Sequence, residues 1–201
     1  IRLARPAHWM KNILVLLPLL CSGHLLEPWR LWSALWGLVA FSLTASGIYV
    51  INDIRDREKD RCSTTKCHRP IAAGKISVPH AIIYAVFLLA LALLCGYMAS
   101  GLSPAGLGLL GAYFLMNLGY SLGLKNVPLV DIAILALGFL LRMLYGSAVT
   151  SIEPSKWLCL TVISVSFYMG LGKRRGELLS QKGATRAVLK YYNQSFLDKN
   201  M

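Results

Sequence analysis

Residues 31–61 read LWSALWGLVAFSLTASGIYVINDIRDREKDR: 21 positions from Leu31 to Ile51 without a charged side chain, then four carboxylates within eight positions. At ~1.5 Å per residue the first part is long enough to cross a hydrocarbon core of ~30 Å as a helix, which satisfies its own backbone polar groups in lipid. A membrane helix thus opens directly into an acidic cluster.

Working outward, comparable apolar runs lie at about 10–26, 80–100, 104–124, 128–150 and 155–172, which predicts six spans. None shows the ten-residue alternation of a membrane barrel, so the fold class is an all-α, polytopic membrane helical bundle. Pro18, Ser22, Gly23 and His24 interrupt the first run, which leaves a re-entrant or tilted helix open there. The composition agrees: 201 residues, 56% apolar, 15% charged, mean hydropathy +0.55, outside the range of an ordinary soluble domain. Disorder and a secreted disulfide scaffold are excluded. The five cysteines are odd in number, and Cys21, Cys95 and Cys159 sit in apolar runs as small fillers. Residues 1–201 read as a single transmembrane domain without internal repeat or cleavable leader. Opening on Ile1 implies a start further upstream.

The formal charge of +12 is not evenly placed. Eighteen of the 21 basic residues fall on one side: Arg2, Arg5 and Lys11, seven from Arg55 to Lys75, Lys125, and seven from Lys173 to Lys199. The other side has Arg30 and Lys156, and Arg142 lies inside a span. The positive-inside rule makes the first side cytoplasmic, with 52–79 and 173–201 as its two long loops. Topology and anionic lipid explain the basicity, and a nucleic-acid partner is not expected.

If the second helix continues past Ile51, Asp53, Asp56 and Asp60 share one face with Asn52 beside them, and Ser42, Ser46 and Tyr49 extend the stripe into the membrane. Three gathered carboxylates repel one another unless a cation sits among them. Hard oxygen donors without His or thiolate suit Mg²⁺, which takes further ligands from substrate phosphates. Arg61, Lys66, Arg69 and Lys75 follow as a basic rim for phosphate charge. A plainer reading makes the run a set of i,i+3 and i,i+4 surface pairs. The spacing N-D-x-x-D-x-x-x-D-R at a membrane exit favours the diphosphate site.

That spacing, followed by Lys66-x-x-Arg69-Pro70-Ile71-Ala72-x-Gly74, resembles the first signature of the UbiA family of intramembrane prenyltransferases. Arg5-Pro6-x-x-Trp9-x-Lys11-Asn12, Asp131 through Arg142, and Gly172-Lys173-Arg174-x-x-Glu177-Leu178 are similar to the branch that transfers phosphoribose to a polyprenyl phosphate. The resemblance implies nine membrane helices around a central cavity open to cytoplasm and lipid. Six are expected here, and Met201 falls where a seventh would begin, so the chain reads as C-terminally incomplete. Ser63-Thr64 and Cys67 depart from the branch, which usually carries His-Pro and another basic residue there.

The implied reaction is Mg²⁺-dependent transfer of 5-phosphoribose from phosphoribosyl diphosphate to a polyprenyl (decaprenyl) phosphate at the cytoplasmic face of the inner membrane. The resemblance implies metal ligation by Asn52, Asp53, Asp56 and Asp60, catalytic roles for Asp53, Asp60 and Glu177, and substrate contacts from Lys11, Asn12, Arg61, Lys66, Arg69, Arg142, Lys173 and Arg174. Prenyl transfer from a prenyl diphosphate to an aromatic ring is the alternative. It usually comes with a second D-x-x-x-D cluster, whereas Glu177 stands alone among Lys173, Arg174 and Arg175. A transporter and an inactive fragment are the other readings.

Smaller signals have plainer accounts. Asp131 and Arg142 are eleven residues apart on one helix face, too far to pair; Asp131 is expected to support the cytoplasmic site and Arg142 to meet a polar group deeper in the cavity, with neutralisation of each by a neighbouring helix as the plainer account. Tyr113, Asn117, Tyr120 and Ser121 form a polar stripe that helix packing explains equally well. Cys62, Cys67 and His68 lack the fourth ligand of a zinc site. Trp29, Trp32, Trp36 and Trp157 fit interface anchors.

Overall fold

The computed structural model describes residues 3–63, 66–101, 103–124 and 127–179. Arg2, Thr64, Lys125 and the stretch 180–201, all used in the sequence reading, lie outside the described residues. A 3₁₀ helix, Pro6–Leu16, leads into α1 (Leu17–Cys21). α2 (Pro28–Arg55), α3 (Arg57–Arg61), α4 (Val78–Ser100), α5 (Pro104–Leu122), α6 (Val130–Thr150) and α7 (Lys156–Leu179) follow, with no strand among the described residues.

Local chemistry sets several helix ends. Pro28, Pro79 and Pro104 stand in the first turns of α2, α4 and α5, where a missing N–H costs nothing. α4 stops at Gly101, whose φ of 62° suits glycine and whose N–H reaches the Tyr97 carbonyl at 2.7 Å. Hydroxyls inside apolar helices donate to the carbonyl one turn back, as Thr44 does to Ala40 at 2.9 Å and Thr161 to Trp157 at 2.8 Å. These side chains need no water.

Four helices are long and apolar enough to cross a membrane among the described residues: α2, α4, α5 and α6. The predicted first span is instead a short apolar helix, Pro6–Cys21. Pro18 falls in its second half, and Ser22 and Gly23 follow it. The predicted sixth span is helical as α7, but Lys156 at its start and Lys173 to Arg175 near its end dilute its apolar run.

The chain forms two compact units. The first is built from Ile1–Phe114 and Arg142–Glu153, and the second from Leu115–Leu141 and Pro154–Met201, in each case through their described residues. In the first, α2 packs along α4, where a Cβ on Gly47 would stand 3.0 Å from a Leu89 methyl. The 3₁₀ helix lies on α2, and a Cβ on Gly146 would overlap the Val15 carbonyl, so only glycine permits that approach of α6. Phe41, Tyr113 and Tyr145 form an aromatic core with centroids 4.4 and 5.5 Å apart from Phe41. On α4, Ile82, Ile83, Val86, Phe87, Leu93 and Leu94 remain exposed, the pattern of a helix facing lipid. In the second unit α7 meets the start of α6, where a Cβ on Gly170 would stand 2.8 Å from an Ile132 methyl.

Candidate functional site

The acidic signature occupies a kink. α2 ends at Arg55, Asp56 takes φ −84° and ψ 6°, and α3 resumes at Arg57. Backbone bonds from Asp56 to Asn52 (2.9 Å) and from Asp60 to Asp56 (2.8 Å) bridge the break, so the helical spacing nearly persists. Asp53 and Asp60 turn inward and are each 3% exposed, while Asn52 and Asp56 are half-buried. Glu58 points out instead. Arg57, 2.6 Å from its carboxylate, and Arg61 hold that acid below the ordinary glutamate range. The surface-pair reading therefore describes Glu58, Arg57 and Arg61 but not the two buried aspartates.

Buried carboxylates need compensation, and it comes from outside the helix. Arg69 Nη1 donates to Asp53 Oδ1 at 3.0 Å and to Asp60 Oδ2 at 2.6 Å, so one guanidinium joins both acids. Arg5 Nη2 donates to Asp53 Oδ1 and Oδ2 at 2.5 and 2.6 Å. A cavity of about 440 Å³ opens beside them, lined by Arg5, Pro6, Ala7, His8, Asp53, Arg69 and Pro70. The polar stripe on α2 explains how Arg5 gets there. Ser46 donates to the Ala4 carbonyl at 2.8 Å and accepts from Trp9 Nε1 at 3.0 Å, Ser42 accepts from Asn12 Nδ2 at 3.0 Å, and Tyr49 packs against His8 and Arg5. The stripe seats the N-terminal segment.

Three aspartates around one ion were expected, and the structure brings together two. No group of three His, Cys, Asp or Glu side chains stands ready to hold a metal among the described residues. Arg5 and Arg69 sit where Asp53 and Asp60 converge. The donor set still fits a hard cation, since two buried carboxylates already share one positive group, with a carboxylate and an amide at the same kink.

Among the other expected contacts, Lys11, Arg61 and Lys66 are exposed, and Arg61 also donates to the Ala72 carbonyl at 3.2 Å. Asn12 and Arg142 differ from the substrate-binding role expected of them. Asn12 is 1% exposed and accepts from Arg142 Nε at 2.9 Å, while Arg142 reaches the Tyr113 hydroxyl at 2.9 Å and stacks on the Tyr113 and Phe41 rings. This is an internal brace between the 3₁₀ helix, α2, α5 and α6 within the first unit. In the second unit, Lys173 is exposed but Arg174 is fully buried. Its guanidinium lies 2.6 Å from Asp131 and 2.6 Å from Glu177, so it serves carboxylates of the chain instead of the expected phosphate. Cys62 is exposed and Cys67 half-buried, and neither belongs to a metal-binding group among the described residues.

Arg5 is the residue that sequence reasoning missed. It appeared only inside the N-terminal motif, 48 positions from Asp53, and no periodicity relates the two. The Ser42-Ser46-Tyr49 stripe was the available signal, because a polar face on a membrane helix needs a polar segment against it.

The model of the UbiA prenyltransferase family matches residues 13–174. A decaprenyl-phosphate phosphoribosyltransferase of Corynebacterium glutamicum is 37% identical over 98% of this chain, and one of Mycolicibacterium smegmatis is 39% identical over 98%. The chain spans 60% and 63% of their lengths. Among solved structures, a UbiA homolog from Archaeoglobus fulgidus bound to GPP and Mg²⁺ superimposes with a TM-score of 0.72 at 19% identity, covering 99% of this chain and 70% of that one.

Proposed function

The chain belongs to the UbiA prenyltransferase family, and from that membership we propose that it is part of a Mg²⁺-dependent transferase that moves 5-phosphoribose from phosphoribosyl diphosphate to a polyprenyl phosphate and releases diphosphate. The naming of its relatives, 36–39% identical over 98% of the chain, supports the donor and acceptor classes. It is an integral membrane protein. We place it in the inner membrane with the reacting groups toward the cytoplasm, following the side to which Arg55 to Lys75 belong.

One observation carries the chemical reading: two buried aspartates and two arginines meet beside a cavity of about 440 Å³. Such a site can take a diphosphate. Asn52, Asp53, Asp56 and Asp60 would hold Mg²⁺, which when bound lowers the energy of charge building on the departing oxygen. Arg69, with the exposed Lys66, Arg61 and Lys11, would bind donor phosphates through charge-assisted hydrogen bonds. The ribose C1–O bond to diphosphate breaks, that oxygen keeps the electron pair, and an acceptor phosphate oxygen bonds to C1. The acceptor is already anionic near neutral pH, so no strong base is required. Within the second unit, Lys173 is proposed as a phosphate contact and Glu177, fixed by Arg174, as the group that positions a hydroxyl or a metal-bound water.

A donor comparison tests the reading. Membranes containing the protein, given polyprenyl phosphate together with a hydroxybenzoate as aromatic acceptor and either phosphoribosyl diphosphate or a prenyl diphosphate, should yield a product, the phosphoribosylated lipid by mass, only from the first donor. A prenylated aromatic product from the second donor would move the protein to the other branch of the family. Uptake without any product would make it a transporter.

A further inference from the structure

Arg5 and the buried carboxylate it holds both line the open cavity. The Arg5 side chain is 20% exposed, whereas that of Asp53 is 3% exposed. Its backbone takes φ 49° and ψ 59°, a left-handed conformation that a residue with a side chain adopts when its surroundings impose it. Here the flanking bonds impose it, Ala4 to Ser46 on one side and Trp9 to Ser46 on the other. The backbone is therefore fixed while the guanidinium has space ahead of it. The Tyr49 ring, 5.3 Å away, offers a second surface on which it can rest.

At this point the carboxylates of Asp53 and Asp60 face the guanidinium groups of Arg5 and Arg69, two charges of each sign. A divalent cation arriving alone would put two further positive charges beside two guanidinium groups in a largely buried place. Arriving with diphosphate, it would bring the negative charge that those groups need as they leave the carboxylates. We propose that Arg5 is a built-in counter-cation that blocks divalent binding at Asp53 until diphosphate is present, and that it then turns from Asp53 to the diphosphate. This deepens the function proposed above and rests on it. Its consequence is obligatory coupling: metal and diphosphate bind together or weakly.

Mn²⁺ binding to the purified protein in detergent tests the coupling without turnover. Free Mn²⁺ is followed by electron paramagnetic resonance, with and without inorganic diphosphate, against protein-free diphosphate blanks. Wild type should bind Mn²⁺ at least about tenfold more tightly when diphosphate is present. Arg5→Gln should bind Mn²⁺ about tenfold more tightly than wild type without diphosphate, and diphosphate should then add little. Arg5→Lys, which keeps the positive charge, should restore the wild-type pattern. If Arg5→Gln does not fold, the diphosphate dependence of wild type still decides the matter. Equal Mn²⁺ affinity in wild type with and without diphosphate, or no change in Arg5→Gln, would overturn the counter-cation role and leave the proposed function standing. Failure of both proteins to bind Mn²⁺ under either condition would overturn both.

Discussion

Arg69 is the side chain on which the two buried aspartates converge, and its loss should be felt twice. Arg69→Ala leaves the 3%-exposed Asp60 without the guanidinium at 2.6 Å. The variant should lose about 3 kcal/mol of stability, read as a lower melting temperature in detergent, and donor KM should rise as a phosphate contact disappears. A stable variant with unchanged KM would show that Arg69 is neither brace nor phosphate ligand. The 53–60–69 part of this cluster was legible in sequence because it is local: helical spacing sets the acids, and the basic rim follows within sixteen positions. Arg5 was not legible, since its partner lies 48 positions away. Asn12, Arg142 and Arg174 were legible as unusual polar residues but not in their task. Whether a long cationic side chain meets substrate or a neighbouring helix depends on what packs against it, and one sequence does not contain that contact map.

Among the helices, glycine marks close approaches more selectively than its abundance suggests. Gly146→Ala drives a methyl into the Val15 carbonyl, which is backbone and cannot swing aside, so a loss of about 3 kcal/mol is expected. Gly108→Ala on α5 meets nothing within 4 Å and should be neutral or stabilising by about 0.5–1 kcal/mol. Paired thermal melts compare them, and similar shifts for both would contradict the packing described. The buried pair between α6 and α7 follows a related logic. Arg174→Leu alone removes the guanidinium that lies 2.6 Å from the buried Asp131 and should cost about 3–5 kcal/mol, whereas adding Asp131→Leu should recover most of it. A double variant no more stable than the single would deny that the pair is what ties those helix ends. α2, α4, α5 and α6 were readable as spans from long apolar runs. The first and sixth runs are helical but fall outside that set, the first being short with Pro18 inside it and the sixth bounded by Lys156 and by Lys173 to Arg175.

For the whole molecule, topology connects charge to chemistry. Cys62 is exposed in the loop that follows the acid cluster, so a membrane-impermeant maleimide should modify it in inside-out vesicles and not in right-side-out ones, scored by peptide mass. The reverse pattern would place the acid cluster on the outer face and remove the cytoplasmic site. The fold class and the family were both legible in the chain, because a membrane exit carrying N-D-x-x-D-x-x-x-D-R is an uncommon combination of hydropathy and chemistry. The salt-bridged state of that exit was not, since it depends on a segment folding back along α2. Asp53 and Asp60 are proposed to serve Mg²⁺-dependent departure of diphosphate. The most direct test is the rate of diphosphate release from phosphoribosyl diphosphate and polyprenyl phosphate in membranes, with Mg²⁺ varied, for wild type, Asp53→Asn and Asp60→Asn. Loss of about a hundredfold or more in each variant, not restored by excess Mg²⁺, is the predicted result; wild-type rates with wild-type Mg²⁺ dependence in both variants would contradict it.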